Sequence, residues 1–160
     1  MAVTKKQEMQ RLIRRFRDDT GKSEVDMNEV AEWAARKGWP LPQPRSPLEL
    51  LAREFAAAAR EEQRRDEVTG RTYRAQIAYK QGQGDEQMSF WIDVDDAPRR
   101  HVVKALTQYR EQMVGDAWSI ACIQDHWNRI HPDDEPIQME MDFGPDIEWR
   151  KFTPDGEKVT

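Results

Sequence analysis

Residues 46–66, SPLELLAREFAAAAREEQRRD, decide how this chain is read. Ser46, Pro47 and Glu49 combine an N-cap hydroxyl, a proline whose fixed φ suits the first helical turn, and a carboxylate able to reach back to the cap, so a helix is expected from here to about Asp66. Leu51, Phe55 and Ala58 share one stripe, expected to face a core. Arg53, Arg60 and Arg64 are each displaced from it by two residues, about 200 degrees, and are expected to project from the opposite side. After Thr69 and Gly70 the period changes from 3.6 to 2. Tyr73, Ala75, Ile77 and Tyr79 alternate with Arg74, Gln76, Ala78 and Lys80. Beyond a turn at 82–85, Met88, Phe90, Ile92 and Val94 alternate with Ser89, Trp91 and Asp93. This is a hairpin with one apolar face, which must lie against helices because an isolated hairpin is marginal.

Upstream, Thr4 and Gln7 form a capping box for a first helix reaching about Asp18. Met9, Leu12, Ile13 and Phe16 make its apolar stripe, and Arg11, Arg14, Arg15 and Arg17 occupy the rest. Asp26 and Glu29 start a second helix over Met27 to Lys37, with Val30, Ala31 and Ala34 inward, Trp33 at the edge and Gly38 as a left-handed terminator. Three helices then a hairpin is the order of a winged helix, whose third helix enters the DNA major groove while the wing touches flanking backbone. DMNEVAEWAARKGW (26–39), SPLELLAREFAAAAREE (46–62) and TYRAQIAY (72–79) together resemble HARE-type helix-turn-helix domains. In that family a helix ending near a glycine and an aromatic residue precedes a proline-led helix and a glycine-containing wing. The resemblance covers about half of the chain and implies nucleic-acid binding. The connection 38–46 is longer than the turn of the simple motif.

Charge supports an anionic partner for the amino half. Overall the chain carries 25 Lys and Arg against 30 Asp and Glu, a net −5, yet residues 1–80 hold 17 basic and 13 acidic side chains while 81–160 hold 8 and 17. A DNA reader needs cations for phosphate and planar donors for base edges. Arg53, Arg60 and Arg64 are the expected groove residues; Lys5, Lys6, Arg45, Arg71 and Arg74 are phosphate candidates, and Lys80 lies near the wing tip. Glu49, Glu54, Glu61 and Glu62 share the third helix and would repel phosphate unless they point away. Two differently composed solvated faces would give the same charge asymmetry.

Asp95 or Asp96 followed by Pro98 opens a helical pattern ending near Ile130. Val102, Leu106, Tyr109, Met113, Ala117, Ile120 and Trp127 keep one apolar seam, the expected dimer interface if the helix is continuous. Gly115 with Asp116 is the alternative, breaking it into a helical hairpin. Ile137, Met139, Met141 and Phe143 alternate with polar residues as in a strand, Ile147 with Trp149 suggests another short one, and the last eight residues are expected to fray.

No enzyme is expected. Asp93, Asp95, Asp96 and His101 could in principle hold a divalent cation as in a metal nuclease, but a strand end and a helix cap need those aspartates anyway. His126 and His131 are five apart, not the four that align two imidazoles, and they lack a third ligand. Cys122 is alone, which excludes an intramolecular disulfide and fits a reducing compartment. The GQGD turn lacks the lysine and following helix of a phosphate loop. The amino end lacks a signal peptide's apolar core, and the longest apolar run, Phe55 to Ala59, is far short of a membrane span.

The expectation is therefore a cytoplasmic α+β protein needing no cofactor or metal. A winged-helix-like module over 1–94 would bind double-stranded DNA, and a helical assembly region with an extended acidic tail over 95–160 would form a homodimer. The alternative is an adaptor that binds a protein partner through its acidic half and exposed tryptophans, of which Trp39, Trp91 and Trp149 are the candidates.

Overall fold

The structure, a computed structural model, describes residues 2–153. It divides after Pro47 into two units.

The first unit is a helix pair, α1 (Lys5–Thr20) and α2 (Met27–Arg36). The Thr4 hydroxyl accepts the Gln7 N–H while the Gln7 side chain accepts the Thr4 N–H, so the capping box is closed. Gly21 ends α1 in the left-handed conformation at φ 68°, which glycine adopts without a Cβ clash. The Asp26 carboxylate accepts the Asn28 N–H at 2.8 Å to start α2. Phe16 meets Trp33 edge to face at 5.8 Å, and Phe16, Val30 and Ala34 are buried. The two helices and residues 39–42 leave an apolar cleft of about 330 Å³ beside Met9, Ile13 and Met27.

The second unit carries α3 (Pro47–Glu61), β1 (Gln63–Arg65), β2 (Thr72–Arg74), β3 (Gln76–Gln81), β4 (Met88–Asp93), α4 (Arg99–Ile130) and α5 (Gly144–Phe152). Helix and strand are mixed, so the fold class is α+β. β1 pairs with β2 and β3 with β4, both antiparallel, with Ile77 opposite Ile92 and Tyr79 opposite Phe90. The single strand expected over 73–80 is split at Ala75. Its N–H donates to the Glu62 carbonyl and its own carbonyl accepts from Val94, so this residue serves two partners. Gly82 closes the β3–β4 loop at φ 109°, where a Cβ would sit 2.6 Å from the Glu86 carbonyl oxygen. Ile77, Tyr79 and Ala105 form the core, flanked by Ile92, Val94, Val102 and Tyr109. Ala105 is fully buried, and its small side chain lets α4 approach the sheet closely.

Four expectations need correction. The third helix stops at Glu61, and Arg64 lies on β1, because pairing with β2 and the Ala75 to Glu62 bond claim this backbone for a ladder. Leu51, Phe55 and Ala58 are exposed, while Ala56 and Ala59 are the half-covered positions of α3. The physical reason lies opposite, where Trp91 takes the Arg60 guanidinium over its ring at 5.3 Å. Residues 137–143 form no ladder, since side-chain amides of α4 supply their backbone partners: Asn128 donates to the Ile137 carbonyl and accepts its N–H, and the Gln124 carbonyl accepts the Met139 N–H. Ile147 and Trp149 lie on helix α5, which has proline in its first turn, Asp146 near its start and Arg150 and Lys151 near its end, all matching the helix dipole.

The alternatives left open for the long helix are resolved as well. α4 runs unbroken through Gly115, and Asp95 and Asp96 precede it, with Pro98 at its N-cap. The fraying expected at the carboxy end falls on 154–160, outside the described residues, except at Thr153. Among the described residues, no helix is long and apolar enough to cross a membrane.

Candidate functional site

Three of the expected cations come together in the second unit. Arg60 reaches inward from α3, Arg74 ends β2, and Lys80 lies near the end of β3; all three line one open groove with Trp91, Ser89 and Gln112. The groove measures about 790 Å³. β3 and β4 fix its floor, because Ala78, Lys80, Ser89 and Trp91 share the sheet face opposite Ile77 and Tyr79. Glu111 is the acidic residue on its wall, against three cations. Arg60 stacks on Trp91 by cation–π attraction, which orients a long side chain that would otherwise sample many rotamers.

α4 positions the lysine. Gln108 accepts the Lys80 N–H at 2.7 Å and donates to the Lys80 carbonyl at 2.8 Å, while the Tyr109 hydroxyl accepts the Ala78 N–H at 2.9 Å. These contacts close the outer edge of β3 with side chains instead of a further strand. Sequence reasoning missed Gln108 entirely and placed Tyr109 on an assembly face. A glutamine and a tyrosine adjacent on a helix carry no periodic signal of strand capping.

Arg64 does something else. It bonds Asp93 with both amino groups at 2.8 and 2.6 Å, Asp95 at 2.8 Å and Glu62 at 3.0 Å. The Tyr73 hydroxyl donates to Asp95 at 3.0 Å, and Gln76 donates to Glu62 and Asp93. Hydrogen bonds from Arg64, then the Asp95 N–H, hold the Asp93 carboxyl below its usual range. The hydrogen bond to Asp95, then burial, pushes the Tyr73 phenol up. Arg64 is thereby neutralised and joins β1, β2 and the end of β4; it does not face outward as expected.

The other expected residues are dispersed. Arg53 is exposed on α3 and Arg71 is exposed in the loop before β2; Lys5 and Lys6 on α1, and Arg45, belong to the first unit and are exposed there. On α4, Val102 and Tyr109 pack against the core and Trp127 stacks on His131 at 4.4 Å. Leu106, Met113 and Ile120, at seven-residue spacing, stay exposed. The residues weighed for metal binding have other partners. Asp93 and Asp95 serve Arg64, His101 lies against the Tyr79 ring at 5.4 Å, and His126 approaches Arg129 whereas His131 caps α4 through Trp127. Among the described residues, no group of three or more His, Cys, Asp or Glu is placed to hold a metal. Comparison with protein-family models, curated proteins and solved structures finds no match to this chain.

Proposed function

We propose that this protein binds nucleic acid without chemistry of its own, using the groove of Arg60, Arg74 and Lys80 as a phosphate-contacting surface. The observation that carries the reading is the convergence of three cations from separate elements on one face with a tryptophan between them. Backbone phosphates supply most of the affinity of such complexes, and cations beside an aromatic plane suit a charged strand. The winged-helix resemblance and the basic balance of residues 1–80 point the same way. Insertion of α3 into a major groove has less support, since Arg60 turns to Trp91 and Arg64 is neutralised. The lone cysteine supports a reducing, cytoplasmic setting. A mobility-shift titration of the full chain on duplex and single-stranded DNA at two salt concentrations tests the proposal. Binding that weakens with salt is expected, with a slope reduced by about 2 to 3 in the Arg60→Ala, Arg74→Ala, Lys80→Ala triple variant. Absence of retardation at low salt, or a triple variant that binds like the parent, overturns it.

A second reading, an assembly or adaptor protein, is favoured by α4. One unbroken helix with Leu106, Met113 and Ile120 exposed along a seven-residue repeat suits pairing with a second copy. Glutamates at these three positions would abolish that contact, which sedimentation velocity reads directly.

A further inference from the structure

The two edges of the β3–β4 hairpin are treated differently. The N–H and C=O of Lys80 both go to Gln108, and the N–H of Ala78 goes to Tyr109, so these groups point away from β4. In an antiparallel ladder the residues opposite them must also turn their backbone groups outward. Those residues are Ser89 and Trp91. Among the described residues, no hydrogen bond reaches their outward N–H and C=O groups. β4 also lacks the devices that guard an edge, for its sequence MSFWID has no lysine or proline and its register runs without a bulge. On the face shared with the core, Met88 is 62% and Phe90 42% exposed.

We infer that β4 pairs antiparallel with β4 of a second copy, with the two-fold axis at Phe90. In this register Ser89 of each chain exchanges both backbone bonds with Trp91 of the partner subunit. Phe90 faces the partner's Phe90, and Met88 meets the partner's Ile92, so the uncovered apolar side chains cover one another. A second copy is the occupant that meets exposed Met88 and Phe90 with equally exposed apolar side chains, and the charge pattern allows it. Asp93 is the only ionisable residue of the strand; it falls opposite the partner's Gln87, so no like charges meet. Its carboxylate and carbonyl are already taken by Arg64 and Ala97, which favours a ladder centred on Phe90 over one reaching further along the strand. A two-fold axis normal to the sheet keeps Lys80, Arg74 and Trp91 of both copies on one face, doubling the basic groove. The pairing stands independently of nucleic-acid binding and of α4 contacts.

Mass measurement of the full chain by light scattering tests it. A variant with glutamate at Leu106, Met113 and Ile120 is expected to stay dimeric, and adding Ser89→Pro to it is expected to give a monomer with an unchanged circular-dichroism spectrum. The lost Ser89 N–H points away from β3, so the hairpin keeps its own bonds. In parallel, Phe90→Cys in a Cys122→Ser background is expected to form a disulfide-linked dimer in a glutathione redox buffer, since directly opposed non-hydrogen-bonded positions lie within disulfide reach. A glutamate variant that is already monomeric, a combined glutamate and Ser89→Pro variant that stays dimeric, or failure of the Phe90→Cys chains to link overturns the proposal. If Ser89→Pro alone yields a monomer, the α4 contact fails and the β4 pairing stands.

Discussion

Arg64 shows how little a residue's type says about its task. As a cation after an arginine-rich helix it reads as a DNA contact; in the fold it is bound by three carboxylates and a ladder. Replacing it with methionine keeps the apolar stem but leaves Asp93, Asp95 and Glu62 close together without their counter-charge. The thermal midpoint of Arg64→Met is therefore expected to fall below wild type at neutral pH. The sign of the pH dependence follows from Asp93, whose native pKa is depressed chiefly by Arg64. A depressed carboxyl stabilises the fold fully above its unfolded value of about 3.9 and loses that contribution as pH drops through the native value. The gap between the two proteins should hold from neutral pH to about 4 and close below it; a gap that widens in acid contradicts this account. Tyr109 makes a neutral comparison. Tyr109→Phe strips the acceptor from the partly buried Ala78 N–H and is expected to cost about 1 to 3 kcal/mol in denaturant melts.

At the scale of elements, periodicity was legible wherever one partner sufficed to set it. α1, α2 and the β3–β4 hairpin follow their capping and alternation signals because helix hydrogen bonds and a neighbouring strand are local. The end of α3 was not legible. Residues 62–65 are good helix formers, and only a distant strand at Thr72–Arg74 recruits them. Residues 137–143 alternate like a strand, yet Gln124 and Asn128 claim their backbone groups. Gln124→Ala with Asn128→Ala should free this segment, at about 0.5 to 1.5 kcal/mol per lost bond, and limited proteolysis within 132–143 should accelerate while α4 stays helical. Gly115 sits in mid-helix, where an added Cβ would meet nothing within 4 Å, so Gly115→Ala is expected to raise stability by about 1 kcal/mol, read as a higher thermal midpoint.

Across the whole molecule, the buried side chains are few. Among the described residues they comprise Phe16, Val30 and Ala34 in one unit and Ala75, Ile77, Tyr79 and Ala105 in the other. Meanwhile Leu51, Phe55, Met88, Leu106, Trp118 and Ile123 remain exposed. Apolar area exposed on this scale is what the proposed β4 pairing would cover in part. Mass action then makes the thermal midpoint rise with protein concentration, and a midpoint independent of concentration over two decades would argue for a monomer that needs no partner.

The sequence alone determined the α+β class, the helix starts at Thr4 and Asp26 and the alternation of the main hairpin, because caps, turns and periodic stripes act over a few residues; the pairing register and the continuity of α4 through Gly115 came from the structure. Tertiary structure alone decided which cations stand free. Arg60, Arg74 and Lys80 meet because two strands and a helix bring them to one groove, whereas Arg64 is neutralised by carboxylates some thirty positions away. Electrostatic pairing depends on distance in space, and no spacing rule along the chain encodes it.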